Sequence, residues 1–519
     1  MTRQEGSIAR GAFADAADVL AAARPEGGGD RPPFDYRPPA GRHAGPPTRA
    51  GAPSPRGPLT AAATALAGGT TTSVALVADA LARIDECDGD LHAMVELAPD
   101  AMAVAAERDA ELAAGRSRGP LHGIPISVKD VLHVTGLPTR AGSDAYEVLA
   151  VSEGTGVARL RAAGAVIVGK VSTHEFALGV TSPQSRNPWD PKRIPGGSSG
   201  GSAVSVATGM ALGSLGTDTR ASIRVPAALS GVVGLKPTYG RVPTDGIVSL
   251  AWTMDHIAPM AMSVDDAATM LDVLLGGAST LAGATLAGVA IVGVARCGFE
   301  GAEPGVASCA AAAVEALSDQ GHPLVETDRV RSAHLELANA AGLVISRSEA
   351  AAFHRSLAAD RSLYWEEVDE QLDLGAEVTA ADYLDAQRAR AALAAELLTV
   401  FDECDVLAMP TVPVVAPPAE DFASYLMVLA RNAIPWSLVG FPAISVPCGF
   451  SEGLPVGLQL VAPPGREDLL VAIGREVEAV AASYQPGAPE AGTSYTRVGS
   501  GKPQPVPSTW TTSPSQGSV

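Results

Sequence analysis

The stretch Gly164-Ala-Val-Ile-Val-Gly-Lys170 decides the fold. Its glycines and lysine satisfy most of a phosphate-loop pattern, but Val171 stands where that motif needs a Ser or Thr hydroxyl for Mg²⁺. The residues between the two glycines are all apolar, which suits a buried strand and not an open turn offering its amides to phosphate. Nucleotide binding is therefore set aside. Just before it, Val157 to Ala163 has one apolar face, as a helix would, and Ala203 to Ala211 reads as another helix further on.

The same alternation extends outward. Ser73 reads as an N-cap, with Val74, Val77, Leu81 and Ile84 forming one apolar helical face behind it. Further strands are expected at Ala165 to Val168, Val289 to Val294, Val406 to Met409, Ala443 to Val446 and Leu458 to Val461. Strands that are apolar on both sides and separated by helices point to the α/β class, with a mixed β-sheet sandwiched between helical layers in one large α/β/α domain. The expected bounds are 58–484. Residues 1–57 read as a short helix over Ile8 to Ala23 on a flexible Pro/Gly-rich tether, and 485–519 as a disordered tail. Neither tail is expected to carry catalysis.

Composition narrows the function. The 519-residue chain carries a formal net charge of −20, which repels a nucleic-acid backbone, and no basic cluster interrupts that balance. Met1 to Leu20 carries acids and lacks the continuous apolar stretch of a secretory signal, and no run of about eighteen apolar residues occurs anywhere, so no membrane partner and a cytoplasmic location are expected. Cys87, Cys297, Cys309, Cys404 and Cys448 show no C-x-x-C spacing and read as reduced, buried thiols. The histidines show no H-E-x-x-H or similar pairing, so neither a metal nor another cofactor is expected.

Three separated residues carry the chemistry: Lys129 in Gly123-Ile-Pro-Ile-Ser-Val-Lys-Asp130, Ser198 in Pro195-Gly-Gly-Ser-Ser-Gly-Gly-Ser202, and Ser222 in Gly216-Thr-Asp-Thr-Arg-Ala-Ser-Ile-Arg224. A serine hydroxyl is a weak nucleophile that needs a base, and a lysine desolvated by burial can be neutral enough to serve. Lys129 follows a β-branched apolar stretch, so burial at a strand end would lower its pKa, whereas Asp130 would raise it if the two side chains met. Ser198 lies in a glycine-rich loop leading into a helix, where backbone amides can face developing negative charge.

These segments, with Arg186-Asn-Pro-Trp-Asp190, Gly231-Val-Val-Gly-Leu-Lys-Pro-Thr-Tyr-Gly240, Phe441-Pro-Ala-Ile-Ser-Val-Pro447 and Gly457-Leu-Gln-Leu460, resemble the amidase signature family of serine hydrolases. The likeness spans Pro58 to Tyr484 and keeps the family's spacing between the two serines. It implies the α/β/α fold and hydrolysis of a small-molecule amide through an acyl-enzyme, with Ser222 as nucleophile, Ser198 as relay beside a cis Gly197–Ser198 bond, and Lys129 as base. It also implies an oxyanion hole from the backbone amides of Thr219, Arg220, Ala221 and Ser222. Members often form homodimers. Arg224 and His256 match family positions and read as structural.

One departure stands out. The family commonly places Gly-Gly before the nucleophile, and this chain has Arg220-Ala221. Three readings follow: a normal site if both residues adopt allowed angles, an Arg220 that pairs with a substrate carboxylate, or an amidase-fold pseudoenzyme acting as a binding protein. Ser199 is a further candidate for hydrogen bonding to substrate or within the site. A glutaminase subunit of a transfer-RNA-dependent amidotransferase is the remaining alternative. Phe176 to Ser185 and Ala338 to Ala394 are the segments expected to shape the pocket.

Overall fold

The computed structural model describes residues 3–23, 37–39, 48–50, 57–277, 280–357 and 359–481. Its centre is an eleven-stranded sheet. In chain order the strands are β1 (Met94–Leu97), β2 (Pro125–Lys129), β3 (Val166–Val171), β4 (Gly213–Asp218), β5 (Val233–Lys236) and β6 (His256–Ala261). They continue with β7 (Val292–Ala295), β8 (Leu324–Thr327), β9 (Val406–Pro410), β10 (Ala443–Ser451) and β11 (Leu454–Val461). Across the sheet they run β8-β7-β9-β11-β10-β5-β6-β4-β2-β3-β1.

The sheet is mixed. β2 pairs in parallel with both β3 and β4, while β4, β6, β5, β10, β11 and β9 run antiparallel to one another in turn. Every residue of β2, β3, β4, β5, β6, β9 and β11 is buried, so both faces of those strands are covered, as the uniformly apolar strand runs require. The covering layers include helices Gly200–Ala207, Arg224–Ser230, Val264–Leu274 and Glu467–Ala481.

Local outcomes refine the sequence reading. Gly164 to Lys170 does feed a buried strand, and Lys170 Nζ, fully buried, donates to Asp130 Oδ1 at 2.8 Å and Thr139 Oγ1 at 3.1 Å. Gly169 is needed because a Cβ there would meet the Glu96 carbonyl oxygen at 2.3 Å, where β1 crosses close. The helix cap expected at Ser73 falls one residue earlier: Thr72 Oγ1 accepts from the Ala75 amide, and Ser73 instead donates its hydroxyl to the Gly123 carbonyl. The helix expected over Ala203 to Ala211 is Gly200–Ala207, beginning on the glycines themselves. The strand expected over Val289 to Val294 is Val292–Ala295, with Val289 exposed before it.

The N-terminal helix runs Arg3–Ala22 and docks on helices Ser332–His354, Glu366–Glu377 and Ala380–Leu398, burying Ala16 and Leu20. Most of the expected tether and all of 485–519 lie outside the described residues. Among the described residues no helix is long and apolar enough to cross a membrane.

A buried polar knot ties the middle of the sheet to the helix behind it. Arg224 Nε donates to Asp218 Oδ2 at 3.1 Å with both side chains fully buried, and Arg224 Nη1 reaches Gln459 Oε1 and the Ala433 carbonyl, each at 2.8 Å. Ser437 Oγ donates to Asp218 Oδ1 at 2.6 Å. Burial pushes the Asp218 carboxyl up, but the Arg224 charge and hydrogen bonds, Lys236 and Ser437 outweigh it and hold it far below the usual carboxylate range. Asp218→Ala leaves a buried guanidinium without its counter-charge and is expected to cost about 3–5 kcal/mol. Urea unfolding of the purified variant checks this, and a loss below about 1 kcal/mol would contradict it.

Candidate active site

Lys129 ends β2 and is fully buried. Its Nζ donates to Ser198 Oγ at 2.7 Å and to Thr217 Oγ1 at 2.9 Å. Burial pushes it down to about 7, against the opposing pull of the Asp218 and Asp255 charges. Asp130, its sequence neighbour, points elsewhere and is taken up by Lys170. The lysine thus stands at a strand end with an ammonium form that finds little solvation, poised near neutrality.

Ser198 follows a cis peptide bond from Gly197. The loop around it is held by Ser182, whose Oγ donates to the Ser198 carbonyl at 2.8 Å and accepts from the Gly200 amide at 3.0 Å. The glycines here serve close approach. A Cβ on Gly197 would meet the Thr181 carbonyl carbon at 2.3 Å, and one on Gly201 the Ser172 amide nitrogen at 2.5 Å. Ser199 is fully buried and donates its hydroxyl to the Thr217 carbonyl at 3.0 Å, so it braces the loop against β4.

Ser222 lies two residues before helix Arg224–Ser230 and is 6 % exposed. Its carbonyl accepts from the Ser199 amide at 3.3 Å, which links its turn to the Ser198 loop. The turn from Thr219 to Ser222 is fixed from both ends. Thr219 Oγ1 donates to Asp255 Oδ1 at 2.6 Å, and the Ile223 amide donates to Asp218 Oδ2 at 3.2 Å. Among the described residues the amides of Arg220, Ala221 and Ser222 donate to no protein acceptor. Neither Arg220 nor Ala221 takes a positive φ, so replacing the usual glycines imposes no left-handed strain.

A cavity of ≈ 100 Å³ meets the Thr219 to Ser222 turn at Arg220. Its wall includes Leu178, Gly179 and Val180 from the 176–185 segment and Asn339, Leu343 and Arg347 from helix Ser332–His354. Both segments expected to shape the pocket contribute to this wall. Ala12 and Phe13 of the N-terminal helix line it too, a contribution that the alanine-rich N-terminal sequence does not announce. Arg220 reaches in, with Nη2 donating to Asn339 Oδ1 at 2.6 Å. Burial lowers Arg220 to about 10 and Arg347 to about 9, the latter also through the Arg220 charge, so both stay cationic at neutral pH.

The remaining family positions are structural in geometry. Arg224 is spent on Asp218, and His256 Nδ1 donates to the Asp218 carbonyl at 2.9 Å while Nε2 faces Lys236 Nζ at 3.2 Å. Burial drives the His256 pKa well below its ordinary value. Sequence reasoning missed Thr217, the second partner of Lys129, although it stands inside the segment quoted for Ser222. It also missed Asn339 and Arg347, which no motif marks. Among the described residues no cluster of three His, Cys, Asp or Glu side chains could hold a metal ion.

The fully buried Lys129 is thus bonded to Ser198, with Ser222 on an adjoining turn. The chain belongs to the amidase family, whose sequence profile matches residues 75–471. It is 40 % identical over 469 residues to a glutamyl-tRNA(Gln) amidotransferase subunit of Chloroflexus aurantiacus, covering 80 % of this chain and 95 % of that one. The crystal structure of an amidase superposes with a TM-score of 0.75 at 36 % identity, covering 81 % of this chain and 99 % of that one. The peptide amidase of Stenotrophomonas maltophilia superposes with a TM-score of 0.70 at 28 % identity, covering 84 % and 98 %.

The lysine's burial has a thermodynamic signature. Unfolded, it keeps its proton up to about 10.5; folded, only to about 7. Between those values the unfolded state binds more protons, so stability rises with pH across that window. Lys129→Met is expected to be more stable than wild type at pH 7, by on the order of 1–3 kcal/mol after its lost hydrogen bonds are counted. The difference should shrink toward pH 10.5. Urea unfolding at several pH values measures it, and a destabilised variant would contradict the burial argument.

Proposed function

We propose that the chain hydrolyses a small carboxamide through an acyl-enzyme, with Ser222 as nucleophile, Ser198 as relay and Lys129 as base. The observation that carries this reading is the 2.7 Å contact from Lys129 Nζ to Ser198 Oγ, made by a fully buried lysine brought down to about 7. Ser222 Oγ attacks the amide carbon while its proton passes to Ser198 Oγ and the Ser198 proton to neutral Lys129. Amides of the Thr219 to Ser222 turn stabilise the resulting oxyanion. The proton then returns along the same path to the leaving nitrogen, so the C–N bond breaks with release of ammonia or a neutral amine. Water, deprotonated by the same relay, cleaves the ester and frees the carboxylic acid and Ser222.

A second reading has its own support. The Chloroflexus relative is named for an amidotransferase, and in that role this chain would hydrolyse glutamine and hand ammonia to a partner protein. The chemistry at Ser222 is the same; the two readings differ in substrate and in dependence on a partner. Ammonia release by the chain alone from simple carboxamides favours the first, and glutamine turnover that requires a partner protein favours the second.

Labelling with a small fluorophosphonate, followed by intact mass, tests the nucleophile. One adduct is expected on wild type and none on Ser222→Ala; a labelled variant would overturn the assignment. Activity of wild type should climb with pH through about 7 as Lys129 loses its proton. Lys129→Ala should lower kcat by at least about 10²-fold and remove that limb from the profile.

A further inference from the structure

The cavity that Arg220 enters from the turn before Ser222 contains an unusual charge balance for a chain of net charge −20. Two guanidiniums, Arg220 and Arg347, lie on its wall with one carboxylate, Glu367. Arg347 is only 5 % exposed, yet its Nε has no hydrogen-bond partner, and the same is true of Arg220 Nε. Arg347 Nη1 makes a long 3.5 Å approach to Ser346 Oγ. Among the described residues neither guanidinium has a carboxylate within ion-pair distance. Glu367 is engaged by His174 Nε2 at 2.8 Å. Two guanidiniums thus share the wall with a single carboxylate side chain.

The geometry holding these groups is built in. Asn339, Leu343 and Arg347 are spaced four apart and share one face of helix Ser332–His354, and Asn339 is the residue that fixes Arg220 Nη2. Helix Glu366–Glu377 is packed against that helix at Gly375, where a Cβ would meet the Arg347 carbonyl oxygen at 2.1 Å. Arg347 therefore cannot be accounted for as a solvated surface cation. A buried guanidinium is costly unless something negative meets it.

Resting on the amide-hydrolysing reading above, we infer that Arg220 and Arg347 form a carboxylate site and that the substrate is a small carboxamide bearing one free carboxylate and no ammonium group. A ligand carboxylate supplies negative charge where two guanidiniums face one carboxylate side chain, and it offers acceptors to both forks. An α-ammonium, as in glutamine, would add a further positive charge to a wall that already sets two guanidiniums against one carboxylate.

The test compares isosteric probes on Ser222→Ala, which binds without consuming them: malonamate, succinamate and glutaramate against malonamide, succinamide and glutaramide, with L-glutamine as the zwitterion. Calorimetry should show at least one monoacid binding about tenfold or more tighter than its diamide and than L-glutamine. The preference should fall toward unity when Arg347→Met is added and be partly kept with Arg347→Lys. Equal affinities for acid and diamide, a preference that survives Arg347→Met, or L-glutamine binding as tightly as glutaramate would overturn the inference. The first comparison needs no change at residue 347, so a folding defect there cannot obscure the result. Fluorophosphonate labelling of wild type at Ser222 reports separately on the hydrolytic reading: an adduct without acid preference sinks only the carboxylate site.

Discussion

The site depends on one constraint, the placement of a lysine amino group where water cannot reach it. In solution an ammonium is among the best hydrated groups a protein carries, and removing that hydration makes its proton easy to lose. Here the strand that carries Lys129 lies between two parallel neighbours, and both of its faces are covered. The hydroxyls of Ser198 and Thr217 replace part of the lost hydration without supplying a counter-charge. Asp218, a strong anion on β4, is committed to Arg224. Had that ion pair been absent, Asp218 would pull harder on the lysine proton. The polar knot behind the helix and the titration of the lysine are therefore coupled through one carboxylate.

Much of this is legible from residue order. Lys129 at a strand end, Ser198 in a glycine run and Ser222 before a helix are local patterns, and local patterns survive into structure because strand burial and close backbone approach act over a few residues. The cis bond at Gly197–Ser198 follows from resemblance alone and is present in the structure. The Arg220-Ala221 departure can be posed from sequence but not resolved, because whether a residue needs φ > 0 is a property of the backbone it sits in. The structure shows that neither does.

What cannot be read is long-range. Arg347 lies far along the chain from Arg220, in a helix whose residues carry no motif, and only the packing of helices against the central sheet brings the two guanidiniums to one cavity. Small boundary errors have the same origin in competing local bonds. Ser73 has a capping side chain, but its hydroxyl is claimed by the Gly123 carbonyl, and Thr72 caps in its place. Asp130, adjacent to Lys129 in sequence, instead neutralises Lys170 on the next strand, a partner that only sheet order could reveal.

The N-terminal helix adds a different kind of consequence. Ala12 and Phe13 form part of the cavity wall, yet they lie well before residue 75, where the match to the amidase family begins. The proposed reaction centre and part of the cavity wall thus belong to separable stretches of chain. An exchange at Ala12 or Phe13 can reshape what enters the cavity without disturbing the strand, loop and turn that hold Lys129, Ser198 and Ser222. The shape of this cavity is thus open to change from outside the stretch that matches the family.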